Sequence, residues 1–104
     1  MNTLTPWRIG RLREHFEKVP DARIVFHRGR WLAEMKGNEL IYAAAVATMY
    51  RAGEIAPAAM HADGIRPVVF VRHDNPARIG GWTPEDRDLC LPNFLKVFPP
   101  VKDS

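Results

Sequence analysis

The sequence predicts a small α+β domain in the order α-β-β-α-β-α, with a short, mainly antiparallel sheet and helices packed on one side of it. Three observations support this fold class. Apolar residues recur at helical spacing near the start of the chain, and segments of alternating polarity flank Arg28-Gly29. A β-branched run at 68–71 then lies between two further helical stretches. The 104 residues have the size of one domain, predicted as 1–104 with a frayed tail at 99–104.

A first helix is predicted over 6–18. The Thr5 hydroxyl is suited to cap its exposed N–H groups, and Pro6 suits the first helical position, where a missing N–H costs nothing. Pro20 ends the pattern, because proline cannot continue a helix without loss of a hydrogen bond. The apolar stripe of this helix consists of Ile9, Leu12, Phe16 and Val19.

A β-hairpin is predicted over 23–36, with Arg28-Gly29 as a two-residue loop. Such a loop fixes the register, so that facing residues share one side of the sheet. The pairs expected on the apolar side are Ala22–Met35, Ile24–Ala33 and Phe26–Trp31. The pairs expected on the other side are Arg23–Glu34, Val25–Leu32 and His27–Arg30. Because Arg-Gly is less usual than Asn-Gly in such a turn, a three-residue loop remains an alternative.

A second helix is predicted from Asn38, which is suited to cap it, to Arg51, with Gly53 placed to end it. This stretch is apolar nearly all round, a pattern typical of a helix that is buried on most sides. Residues 57–61 leave room for one extra helical turn, although Pro57 limits any longer continuation.

The run 68–71 predicts a central strand, with Pro67 at its first position, where proline is tolerated. A loop is predicted over 73–82. Thr83-Pro84 then begins a third helix, which Pro92 is expected to break after about two turns. Because three strands make a small sheet, an open edge is expected unless another chain or the C-terminal segment covers it.

The surplus positive charge lies in the first third of the chain. Residues 1–36 hold eight Lys or Arg and four Asp or Glu, and the whole chain has a net charge of +3. The cations follow the first helix at Arg8, Arg11, His15 and Lys18, and they flank the hairpin loop at Arg28 and Arg30. This layout predicts one basic binding face. The residues predicted to contact a partner are Arg8, Arg11, Lys18, Arg28, Arg30 and Trp82, the last as an aromatic anchor.

With no credible catalytic set, the sequence predicts a non-enzymatic protein-binding module that uses this face: a small inhibitor, adaptor or regulatory protein. From its short length and its Arg- and Ala-rich composition, a phage or mobile-element accessory protein that acts on a host defence complex is one expectation. The expected partner is a protein or protein–nucleic-acid complex with an acidic surface, and a homodimer through the open sheet edge is a further expectation. A nucleic-acid-binding protein that uses the same arginines is the alternative. The net charge of only +3 and the lack of interleaved aromatic residues count against it.

Two other constellations are weaker candidates for a functional site than the basic face. A helix-turn-helix over 40–61 is disfavoured, because Pro57 falls in its second helix and that helix has almost no side chain able to read a base edge. A small metal-dependent enzyme is the second alternative, with candidate ligands at His61, Asp63, His73 and Asp74. Two turns at opposite ends of a strand are expected to hold these ligands about 15–20 Å apart. No metal, cofactor or catalytic residue is therefore predicted.

Cys90 is the only cysteine and follows a leucine, so it is expected to be a small buried hydrophobe and not a nucleophile. A single cysteine excludes an intramolecular disulfide and favours a reducing, cytoplasmic location. The longest apolar stretch, 40–49, is far shorter than the roughly twenty residues of a membrane-spanning helix. No membrane association is therefore predicted.

Overall fold

The computed structural model describes residues 5–35 and 37–100. The elements are α1 Ile9–Lys18, β1 Arg23–His27, β2 Arg30–Ala33, β3 Glu39–Ile41, α2 Ala43–Arg51, β4 Ile55–Met60, β5 Pro67–Arg72 and α3 Pro84–Val97. The strands form one antiparallel sheet in the order β3-β2-β1-β5-β4. The predicted α+β class is confirmed, and two unpredicted strands, β3 and β4, form the edges of the sheet. Most of the predicted frayed tail, from residue 101 onward, lies outside the described residues, as does Lys36 of the predicted hairpin.

The hairpin of β1 and β2 has the predicted two-residue loop and register, with Phe26 opposite Trp31 and His27 opposite Arg30. Arg28 and Gly29 have φ angles of 52° and 77°, so both loop residues are left-handed, as a type I′ turn requires. This turn matches the right-handed twist of the flanking strands, and for that reason an arginine is held in a conformation that favours glycine or asparagine.

Replacing Arg28 by asparagine is expected to stabilise the fold by about 0.5–1 kcal/mol, because asparagine adopts left-handed backbone angles at lower cost than arginine. The urea midpoint should rise with no change in the slope of the unfolding curve. Gly29→Ala, which places a Cβ on the other left-handed residue, should shift the midpoint in the opposite direction. Equal midpoints for the wild type and Arg28→Asn would contradict a strained turn.

The predicted beginning of the first helix is wrong. Thr5 and Pro6 precede a segment that pairs with β3: the Trp7 N–H donates to the Leu40 carbonyl (2.8 Å), and the Tyr42 N–H donates to the Trp7 carbonyl (3.0 Å). Helix α1 therefore begins only at Ile9, with no side-chain cap. The reason is burial, because the Trp7 side chain is only 6% exposed and its burial outweighs a cap that contributes about 1 kcal/mol.

The predicted beginning of the second helix is also wrong. Residues 39–41 form β3, which pairs with β2 so that Ile41 faces Trp31, and α2 begins at Ala43. Asn38 does not cap it, because the N-cap residue is Tyr42. The end of the helix is as predicted: Arg51 is the last helical residue, and Gly53 has a φ of 78°, the left-handed angle that favours glycine after a helix.

The extra turn over 57–61 is wrong, because those residues belong mainly to the edge strand β4. Pro57 is tolerated there, since β4 lies at the edge and its register shifts between Pro57 and Ala59. The Pro57 carbonyl accepts a hydrogen bond from the Ile79 N–H (2.8 Å). A strand in place of the second helix also rules out the helix-turn-helix arrangement.

Helix α3 begins as predicted and ends later than predicted. Thr83 caps it, and the Thr83 hydroxyl and the Asp86 carboxylate form a reciprocal capping box. Pro92 lies inside the helix, which continues to Val97. Pro92 is exposed, whereas Phe94 in the next turn is fully buried. Packing of the second half of α3 therefore outweighs the cost of an internal proline, about 3 kcal/mol.

All three helices cover one face of the sheet. The core joins sheet residues of this covered face with residues of every helix, and it centres on aromatic rings. The ring centroids of Trp31 and Phe70 are 5.4 Å apart, and those of Tyr50 and Phe70 are 4.9 Å apart. The sheet residues of the core are Ile24, Trp31, Ala33, Ile41, Ile55 and Phe70. The opposite face of the sheet contributes no residue to this cluster, although Val71 and Ala56 on that face are also buried, with 0% and 5% of their surface exposed.

His15 is not part of an exposed basic stripe, contrary to the prediction. It is only 8% exposed, and its ring lies edge-on to that of Trp7, with centroids 5.0 Å apart. Because Trp7 lies over the start of α1 instead of extending the helix, it encloses the imidazole. Burial, together with the nearby charge of Arg11, lowers the pKa of His15 below its ordinary value.

The folded protein should therefore become less stable as the pH falls below about 6.5, the ordinary histidine pKa. Because the His15 pKa is lower in the folded state, the unfolded chain takes up the proton first, and this favours unfolding. We expect the urea midpoint to fall between about pH 7.5 and about pH 5.5 in the wild type, and to change much less in His15→Gln. An equal fall in both proteins would contradict this assignment.

Candidate functional site

The sheet face opposite the helices, here called the open face, carries a continuous line of aliphatic side chains. One residue from each strand contributes, and each is paired with the next across the sheet. This aliphatic row consists of Leu40, Leu32, Val25, Val69 and Ala59, in strand order. All five are partly exposed, and none belongs to the hydrophobic core or to the residues packed against it. A contiguous apolar surface of this kind is typical of interaction sites.

Polar residues border the aliphatic row on the side of the hairpin loop. His27 pairs with Arg30 there. Ile41 is paired with Trp31 on one side and with Trp7 on the other. One residue further along these segments, Arg30, Tyr42 and Arg8 lie side by side. Successive residues of a strand point to opposite faces, so the buried residues of these segments are followed by residues on the open face. This tip row consists of Arg8, Tyr42, Arg30 and His27.

The tip row brings together cations from three separate segments. The guanidinium of Arg8 lies over the Tyr42 ring, 5.7 Å from its centroid, which holds it beside β3. Two strand spacings separate Arg8 from Arg30, so their backbones lie about 10 Å apart. Arg28 lies in the adjoining hairpin loop. The N-terminal segment and the hairpin, which carry the predicted basic clusters, therefore present cations at the same end of the sheet.

Among the described residues, none of these cations has an acidic partner. Within residues 5–35 and 37–100, no carboxylate lies within 4 Å of Arg8, Arg28 or Arg30. On the other side of the aliphatic row, by contrast, Arg23 pairs with Glu34 at 3.5 Å. The positive field of the open face is therefore concentrated on its tip side.

Three other predicted contact residues lie elsewhere. Arg11 lies over the Trp7 ring, 4.7 Å from its centroid, and lines a shallow groove of about 420 Å³ with Arg8 at the margin of the tip row. Lys18 pairs with Glu14 at 2.7 Å, at the far end of α1 and about 15 Å from Arg8 by helical rise. Trp82 packs against the core at the opposite end of the sheet, beside Ile55. Neither Lys18 nor Trp82 belongs to the open face.

The aliphatic row is the part of the site that was not predicted. The sequence pattern correctly pairs Val25 with Leu32 on the polar side of the hairpin. An apolar pair between two charged pairs on that side is the only local sign that the face carries aliphatic residues. Leu40 and Ala59 lie on β3 and β4, which are absent from the prediction. The extent of the row follows from the pairing of distant strands and not from any local pattern.

The metal-competent residues lie at opposite ends of β5, as expected. Asp63 accepts hydrogen bonds from the Ile65 and Arg66 N–H groups in the turn before β5, and these bonds hold the pKa of its carboxyl well below the usual range. His73 follows β5 at its other end. In the described part of the chain, no three His, Cys, Asp or Glu side chains gather into a possible metal site. Burial and the charge of Asp86 raise the pKa of the Cys90 thiol, which disfavours the reactive thiolate.

The sequence matches no protein-family model, and neither the curated proteins nor the solved structures provide a match. Among the described residues, no helix combines the length and the apolar character that are needed to cross a bilayer.

Proposed function

We propose that this chain is a non-enzymatic protein-binding module, an inhibitor, adaptor or regulatory protein, that docks its partner on the open face. One observation carries the proposal: the aliphatic row crosses all five strands and is bordered on one side by cations that have no acidic partner in the described part of the chain. Protein interfaces combine an apolar centre with a polar rim in this way. The row supplies the area that leaves water on binding, and the tip row supplies orientation and steering.

The chemistry of the open face supports a partner of complementary chemistry. An apolar strip on the partner would cover the aliphatic row, and acidic side chains along one margin of that strip would face Arg8 and Arg30. The Arg23–Glu34 pair on the opposite margin has no net charge to offer. The acidic residues of the partner are therefore expected on one side only, which fixes its direction on the sheet.

Nucleic acid is the less suitable ligand for this face. Proteins that bind single strands stack successive bases on exposed aromatic rings, whereas the tip row has a single tyrosine, Tyr42, whose ring lies under the Arg8 guanidinium. The centre of the face is aliphatic and would remain uncovered beside a phosphate backbone. The arginines alone would support weak, salt-sensitive binding.

The narrower parts of the proposal come from size and composition. They are a cytoplasmic location, for which the single Cys90 is the argument, and a role as a phage or mobile-element accessory protein directed at a host defence complex. A homodimer through a sheet edge is the remaining expectation. Trp7 is hydrogen-bonded along β3, and Ile79 is hydrogen-bonded to β4, so both edges are partly occupied.

Affinity capture from a lysate of the encoding organism, with nuclease treatment of half the sample, tests the proposal. We expect a stoichiometric protein partner that is retained after nuclease treatment and released by raised salt, because the tip row contributes electrostatically. A partner that is lost with nuclease would favour nucleic acid instead. Recovery of no stoichiometric protein from either half would contradict a protein-binding module.

A further inference from the structure

A second polar feature lies at the end of the sheet that is remote from the hairpin loop. A cavity of about 190 Å³ opens between the start of β4, the loop that follows β5, and the start of α3. Arg78, Arg87 and His73 line it, and Trp82 forms part of its wall. No Asp or Glu is among the described residues that line this cavity. Two guanidinium groups and an imidazole thus share one small space without a lining carboxylate.

Arg87 is the most informative of these residues. Its Nε atom is buried and has no hydrogen-bond partner among the described residues, and the nearest carboxylate oxygen, on Asp88, is 3.8 Å away. The guanidinium lies against Gly53, where an added Cβ would come within 2.6 Å of the Arg87 Nη1 atom. Gly53 therefore leaves room for the guanidinium at the cavity wall, in addition to its left-handed role after α2.

The helix end beside the cavity does not account for this arrangement. Thr83 and Asp86 satisfy each other there, because the Thr83 N–H donates to Asp86 Oδ2 and the Asp86 N–H donates to the Thr83 hydroxyl. The side chains of the cavity, and not the helix end, are therefore the groups available to an anion there. Arg78 has no ion pair among the described residues, and Arg87 has only the 3.8 Å contact with Asp88.

We propose that this cavity binds a phosphate monoester. A phosphate group carries a charge of about −1.5 to −2 near neutral pH and presents three acceptor oxygens, which suits two guanidinium forks and an imidazole better than a single carboxylate does. The Arg87 Nε–H would gain the acceptor that it lacks. Trp82, at the wall, would pack against the organic group of the ester. On the sheet, this cavity lies at the level of Arg72, three residues of β5 or about 10 Å from the level of Val69 in the aliphatic row.

Calorimetric titration with phenyl phosphate tests this proposal on the intact chain. We expect saturable one-to-one binding, at least about tenfold weaker in Arg78→Gln and in Arg87→Gln, because each loses a charge-assisted hydrogen bond. Arg78 is exposed in a loop, so Arg78→Gln tests the site even if Arg87→Gln unfolds. Arg23→Gln, which removes an exposed arginine outside the cavity, is the matched control and should bind as the wild type does.

Two competition experiments identify the kind of anion that the cavity binds. Inorganic phosphate should compete with phenyl phosphate for the cavity, and acetate, with a single negative charge, should not compete at similar concentrations. Absence of saturable binding, equal affinity in Arg78→Gln and Arg23→Gln, or equally effective competition by acetate would each overturn the proposal.

Discussion

Replacing Leu32 by aspartate is expected to weaken capture of the partner by about 100-fold or more. Leu32 lies near the middle of the aliphatic row, paired with Leu40 on one side and Val25 on the other. A carboxylate there would be buried under the partner without a hydrogen-bonding group to receive it, and such burial costs several kcal/mol. The free protein should tolerate the change, because Leu32 is partly exposed and lies outside the core.

The matched control for this variant is Leu89→Asp. Leu89 is 77% exposed on α3, on the helical side of the molecule, so the same chemical change occurs away from the open face. Capture by Leu89→Asp should equal that of the wild type, measured as partner recovered per bait after nuclease treatment. Equal recovery with Leu32→Asp and Leu89→Asp, at matched melting temperatures, would show that the partner does not bind the open face.

Replacing Trp31 by alanine is expected to lower the free energy of unfolding by about 3–5 kcal/mol. Trp31 is only 1% exposed, and its ring lies within 5.4 Å of those of Phe70 and Phe98, measured between centroids. Removal of the indole leaves a cavity that rigid neighbouring rings cannot fill. Urea denaturation at constant pH measures the loss through the midpoint and the slope.

Trp31→Phe separates packing from hydrogen bonding at this position. The Trp31 Nε1 atom is buried without a hydrogen-bond partner among the described residues, so its loss removes no hydrogen bond. We therefore expect a much smaller destabilisation than for Trp31→Ala. A loss of less than about 1 kcal/mol in Trp31→Ala would show that the aromatic cluster does not hold helices and sheet together.

Local signals predict the parts of the fold that depend on neighbouring residues. The hairpin register follows from one two-residue loop and alternating polarity, and the start of α3 follows from Thr83-Pro84. The errors occur where distant partners decide. Trp7 leaves the helix because β3 lies beside it, and Pro92 stays in a helix because the following turn packs into the core. Neither effect can be seen without the tertiary structure.

The candidate site likewise combines residues that the sequence predicts with residues that only the tertiary structure brings together. The sequence pattern identifies Arg8, Arg28 and Arg30 as surface cations, and the structure places them at one end of the sheet. The sequence pattern also groups these cations with Lys18 and Trp82, which the structure places elsewhere. The aliphatic row is recognisable only once five strands are paired, because its members are spread from residue 25 to residue 69.

We expect a partner protein to cover the open face. Methyl NMR of the labelled chain, before and after addition of the captured partner, measures this most directly. The methyl groups of Leu32, Val25, Leu40 and Val69 should show the largest changes, and those of Leu89 and Val97 on α3 should show little change. Changes confined to α3, with the aliphatic row unaffected, would contradict the account.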